Sequence, residues 1–153
     1  MLFKSEEQIK HYFYIDGSLR DIYVLDTCLT DWNDFLNYIV KSEYIYDIGL
    51  YRDNEIIDFK GLNITDLFNL KKEHFLTLSF RIDDVLICCH FFTIDEIELD
   101  VDPSNINLNR LNSIVNFMKK LSIEINKEVI LTPENTKEIE LIKVDLKGSI
   151  HNL

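Results

Sequence analysis

Residues Asp95–Asp102 read Asp-Glu-Ile-Glu-Leu-Asp-Val-Asp, and from Ile97 onward they alternate apolar and acidic. That two-residue period belongs to a β-strand, so Ile97, Leu99 and Val101 face a core. Glu98, Asp100 and Asp102 then stand in a row on the opposite face. Like charges at alternate positions repel, and the row gives the fold no evident benefit. Either water solvates it or something positive binds it.

The preceding stretch, Val85–Phe92, is apolar on both faces. It reads as a central strand covered on both sides. A long helix from about Asn107 to Asn126, with Leu108, Leu111, Ile114, Val115, Met118, Leu121 and Ile125 as its apolar stripe, covers one side. The helix near Trp32 or a second copy of the chain is left to cover the other.

Turn chemistry supplies most of the remaining organisation. Ser5-Glu6-Glu7-Gln8 has the form of a capping box and starts a short helix. Asp16-Gly17 reads as the turn of a hairpin between strands at Tyr12–Ile15 and Leu19–Asp26. Thr30 reads as an N-cap, with Phe35, Leu36, Ile39 and Val40 at helical spacing after it. Tyr44–Tyr51 and Glu55–Phe59 form a second hairpin, and Phe75–Ile82 with Val85–Phe92 a third over Asp83-Asp84. Thr65–Lys72 is a short helix. Glu128–Thr132 and Glu140–Leu146 are the last strands.

Hairpins dominate over βαβ units, connections are short, and no repeat or long linker interrupts the 153 residues. The expected fold class is α+β. Residues 1–148 form a single domain with a mainly antiparallel sheet built from hairpins, one long helix and shorter helices packed on it. Residues 149–153 are expected to be a frayed tail.

Net charge is −11, and it is uneven. Residues 1–102 hold 21 Asp and Glu against 9 Lys and Arg, whereas the remaining residues are nearly balanced, with 6 against 7. This disfavours nucleic acid, whose phosphates demand clustered cations. It suits a basic protein partner, or a merely solvated acidic surface. No apolar run is long enough to span a membrane. Residues Met1–Glu7 lack the basic flank and apolar core of a signal peptide. Three cysteines without framework spacing fit a reducing compartment. A cytoplasmic location is expected. Ile, Asn, Lys, Asp and Glu abound and alanine is absent, a bias that fits a low-GC bacterial genome.

No catalytic motif stands out, and no cofactor is expected. Cys88 and His90 share a strand face while Cys89 does not, so the three do not converge on a zinc ion. Nothing near these cysteines marks a thiol of lowered pKa. Glu98, Asp100 and Asp102, even with Asp83 and Asp84, lie along a line rather than around a cation, and the glycine-bearing calcium loop is missing. A metal-dependent enzyme built from dispersed carboxylates is a rival reading. A regulatory or structural subunit with a solvated acidic face is another. Tyr44, Tyr46 and Tyr51, interleaved with Glu43, Asp47, Asp53 and Glu55, are candidate interface anchors.

In size, acidity, hairpin content and lack of catalytic motif, the chain resembles the small single-domain α+β immunity proteins of bacterial toxin systems. The resemblance implies a non-catalytic protein that blocks a cognate toxin, often a basic nuclease. Glu98, Asp100, Asp102, Tyr44, Tyr46 and Tyr51 are the candidate partner-binding residues; they follow from charge and composition rather than from any family motif.

Overall fold

The computed structural model describes residues 2–151. Four helices and nine strands follow in the order α1 (Glu6–Tyr12), β1 (Arg20–Leu25), α2 (Leu29–Lys41), β2 (Tyr46–Arg52), β3 (Glu55–Ile57), α3 (Ile64–Lys71), β4 (Leu76–Ile82), β5 (Val85–Cys89), β6 (Glu96–Val101), α4 (Leu108–Ile125), β7 (Val129–Pro133), β8 (Ile142–Val144) and β9 (Ile150–His151). The strands make one sheet in the order β3-β2-β4-β5-β6-β1-β7-β8-β9. Every neighbouring pair is antiparallel. The fold is α+β and a single domain.

Local chemistry explains most element boundaries. Ser5 caps α1 and Gln8 reaches back to the Ser5 amide, so the capping box is present. The β2–β3 and β4–β5 hairpins turn at Asp53-Asn54 and Asp83-Asp84. All four residues have positive φ, as a two-residue turn matched to strand twist requires. Asn107 caps α4, and Asn126 ends it in the left-handed conformation.

The core lies on one face of the sheet. Ile22, Leu50, Leu78, Phe80, Ile87, Leu99, Val101 and Leu131 are fully or almost fully buried there. Leu111, Ile114, Val115, Met118 and Leu121 of α4 are completely buried against that layer. Trp32 of α2 is also fully buried, stacked on Phe91 at 5.3 Å and donating its indole N–H to the Ile94 carbonyl at 3.0 Å.

Four expectations are corrected. The first hairpin does not form. Tyr12 closes α1, and Tyr12–Ile15 is not a strand, because the buried Arg20 side chain claims its carbonyls. Arg20 donates to Tyr12 O at 3.1 Å, to Leu19 O at 2.8 Å and to Tyr14 O, and its guanidinium lies 3.7 Å from the Tyr14 ring centre. Second, Cys28 rather than Thr30 is the N-cap of α2. Asp31 accepts from the Cys28 amide at 2.9 Å and so sets the start of the helix.

Third, β5 ends at Cys89. Phe91, at φ +55°, turns its ring into the Trp32 cluster and leaves Phe92 exposed. Fourth, β5 is covered on one side only, because the apolar faces of the helices gather over the core face. Leu86, on the other side, is 44% exposed. Beyond Gly148, β9 pairs with β8. Asp145 accepts from the Lys147 and Ser149 amides at 2.9 Å and lies 2.9 Å from His151 Nε2, which holds Ile150–His151 against β8. Residues 152–153 lie outside the described residues.

Candidate functional site

Strand parity defines the face opposite the helices, which is open over β2–β5 and closed over β1 and β7, where Asp21, Tyr23, Ile130 and Thr132 are buried. One row of register partners crosses six strands: Gly49, Ser79, Cys88, Asp100, Asp21 and Thr132. On the β2–β5 half of this row the side chains are short. On the β6–β1 half they are carboxylates. The adjoining rows carry Tyr51 beside Thr77, Arg81 beside Leu86, and Glu98 beside Tyr23.

The short half forms the floor of an open groove of about 900 Å³. Tyr51, Ile56, Phe75, Leu86 and His90 rise around it, and Asp47 and Arg81 stand at one end. Phe75 is 81% exposed and Ile56 67%, so this wall presents unusually bare apolar surface. Tyr51 packs closely over Gly49: a Cβ there would meet its ring at 3.0 Å, so a larger residue would displace the ring.

Glu98, Asp100 and Asp102 do share a face, and the free row expected from the sequence is otherwise corrected. Each carboxylate has a partner within the chain. Glu98 accepts from the Tyr23 hydroxyl at 3.0 Å. Asp100 accepts from His90 Nε2 at 2.7 Å. Asp102 accepts from the amide and hydroxyl of Ser104 at 2.8 and 2.6 Å, closing the turn after β6. Glu98 and Asp100 are half-buried and Asp102 is exposed.

Asp21 completes the cluster and is only 2% exposed. It accepts from the Asn135 amide at 2.7 Å and lies 3.2 Å from the Tyr23 hydroxyl. Burial, with Asp100 and Glu134 nearby, pushes the Asp21 carboxyl up, against the pull of the Asn135 amide. Burial also pushes Glu98 up, reinforced by Asp21 and Glu96. Tyr23 is raised by burial and by the two carboxylates it faces. His90 is raised chiefly by its bond to Asp100, with burial opposing.

Thr77 Oγ1, His90 and Asp100 form a hydroxyl–imidazole–carboxylate series, with Thr77 3.2 Å from His90 Nδ1. A nucleophilic role would need a neutral imidazole as base. The surrounding carboxylates instead favour the protonated ring. Cys88 is half-buried on the groove floor, and burial and Asp100 push its thiol up to about 11. Cys89 is in the core, and burial pushes its thiol up to about 12. Among the described residues, no group of three or more His, Cys, Asp or Glu is placed to hold a metal ion. No helix there is long and apolar enough to cross a membrane.

The three tyrosines do not form one surface. Tyr51 lines the groove. Tyr46 bonds its hydroxyl to Asp84 in the β4–β5 turn. Tyr44 lies in the helix layer, bonded to Tyr38 and covered by Lys120 of α4 at 4.4 Å. Sequence reasoning misses Asp21, Tyr23 and Thr77, and it takes up His90 only as a zinc-ligand candidate beside Cys88. The alternation of Asp21-Ile22-Tyr23-Val24 carried part of the signal, since it resembles that of β6.

No protein-family model and no curated protein matches the chain. It is similar to a chain in the crystal structure of the toxic C-terminal tip of CdiA from Pseudomonas aeruginosa in complex with immune protein. The two are 16% identical, 82% of this chain and 94% of that one are covered, and the TM-score is 0.45.

Proposed function

We propose that this chain is a non-catalytic binding protein that neutralises a basic protein toxin, as an immunity protein does, through the open face of its sheet. The supporting observation is that face itself: bare apolar side chains beside a cluster of carboxylates on a nine-stranded sheet. Apolar surface anchors a complex, and the carboxylates set the sign of its partner. Three partly exposed carboxylates, Glu96, Glu98 and Asp100, sit on this half against Lys137, which pairs with Glu96 at 3.1 Å, and His90, with Asp21 buried beside Asp100. A nuclease that grips phosphates has a positive cleft, and an acidic face can fill it and exclude substrate. Glu98, Asp100 and Asp102 supply the charge and Tyr51 an anchor, with Tyr46 at the rim. Tyr44 belongs to the helix layer and is left out of the contact.

The test is co-expression with the product of the adjacent reading frame in a host that lacks both. The wild-type chain should restore growth, and Glu98→Gln/Asp102→Asn should restore it less well while remaining soluble. If the neighbouring product is harmless, or if protection is equal in the variant, this reading fails.

A further inference from the structure

The two halves of the face opposite the helices are covered differently. The loop after β7 closes the acidic half, where Asn135 donates to Asp21 at 2.7 Å and Lys137 reaches Glu96 at 3.1 Å. Over β2, β4 and β5 the groove stays open. Ile56, Phe75 and Leu86 stand bare around it, and Phe92, 60% exposed, lies beside the His90 ring at 5.4 Å. A large aromatic side chain offers about 150–250 Å², so at their exposures these four present about 450 Å² of apolar surface per copy. That comes close to the apolar share of a standard homodimer interface, about 65% of about 800 Å² on each partner.

Charge decides how a second copy can lie there. Asp47 and Arg81 stand together at one end of the groove, 3.9 Å apart, and His90 is bonded to Asp100. The groove is therefore close to neutral in a chain of net charge −11. With a two-fold axis along the strands, between β2 and β4, the order β3-β2-β4-β5 of one copy lies on β5-β4-β2-β3 of the other. Ile56 of β3 then faces β5 of the second copy. Like ends of the two grooves meet, so Arg81 on β4 faces Asp47 on β2 of the second copy. Strands lie about 4.8 Å apart, which puts Asp100 about 12 Å from the axis and the two acidic strips about 24 Å apart. That is about three Debye lengths at physiological salt. An axis across the strands would instead lay one strip on the other. The arrangement also gives β5 the cover on its second face that its two-sided apolar sequence calls for.

We propose that a second copy of this chain covers the apolar half of the open face, in a symmetric pair built on Ile56, Phe75 and the Asp47–Arg81 end of the groove. The pairing does not depend on the toxin-binding reading. The two meet in one respect: toxin and second copy claim the same apolar half, so each excludes the other.

Sedimentation velocity of the full chain from about 1 μM to about 1 mM should show a monomer passing to a dimer and no further. Added salt should not weaken the pair, because its core is apolar and salt screens the repulsion between two acidic copies. Phe75→Glu and Ile56→Glu, both at exposed positions where folding is not at risk, should each weaken dimerisation about tenfold or more. Val40→Glu, at an exposed apolar position on α2, should leave it unchanged. Reaction of Cys88 with a thiol reagent should slow as protein concentration rises, while that of Cys28 should not. The inference is overturned if the chain stays monomeric throughout, if it associates beyond the dimer, or if both glutamate variants on the groove pair as well as wild type. A monomer that still protects against the adjacent-frame product would sink the pairing and leave the toxin-binding reading standing. A dimer lost in Phe75→Glu, together with a harmless neighbouring product, would do the reverse.

Discussion

Replacing Asp100 by Asn tests how the acidic strand is stabilised. Asp100 accepts from His90 at 2.7 Å, and both side chains are partly screened, at 21% and 34% exposure. A hydrogen bond to a charged group contributes about 1.5–3 kcal/mol, and the exposure moves the expectation toward the lower end. Asn keeps an acceptor of similar shape but loses the charge, so the loss should be about 1–2 kcal/mol where His90 is protonated.

The sign with pH follows from His90. Its folded pKa is raised above the ordinary value, so the pair stabilises fully below about pH 6.5 and its contribution fades as pH rises through the folded value. Asp21 and Glu98 act in the same direction, since carboxyls raised by folding favour the folded state on the acid side. Asp16, Asp53, Asp102 and Asp145 are lowered by local hydrogen bonds and lose their contribution only as pH falls through the carboxylate range. Stability should therefore peak between about pH 4.5 and 6.5. Urea unfolding at pH 5.5, 7 and 8.5 should show the gap between wild type and Asp100→Asn shrinking as pH rises, at constant m. An equal gap at all three values, or none at pH 5.5, would refute the role given to this pair.

Two further outcomes are expected. Leu111→Ala or Ile114→Ala, each in a fully buried position of α4, should cost ~2–5 kcal/mol in the same assay, and a loss below about 0.5 kcal/mol at both would contradict the packing described. In native protein near neutral pH, a thiol reagent should label exposed Cys28 first, half-buried Cys88 more slowly and core Cys89 only on unfolding; equal rates at all three would contradict the burial and raised pKa values of Cys88 and Cys89.

What the sequence disclosed follows the range of the interactions. The turns at Asp53-Asn54 and Asp83-Asp84, the cap at Ser5 and the stripe of α4 are local, and each forms where its own residues dictate. Tyr12–Ile15 has the aromatic and β-branched character of a strand, but Arg20 captures its carbonyls, and that geometry exists only once the chain has folded. The acidic row was readable as a row. Its partners, Tyr23 on β1 and His90 just past β5, were not, because antiparallel register rather than sequence spacing brings them alongside. The two-sided apolar pattern of Val85–Phe92 misled for a related reason. Part of its outward face walls a groove instead of meeting a helix, and its last aromatic pair leaves the strand.

The most direct measurement is the association rate of the purified adjacent-frame product with wild type and with Glu98→Gln/Asp102→Asn, across a range of salt concentrations. An acidic docking face predicts fast association that slows as salt rises, with a slower rate and a flatter salt dependence in the variant. Identical rates for the two proteins at every salt concentration would contradict it and place the contact away from the open face of the sheet.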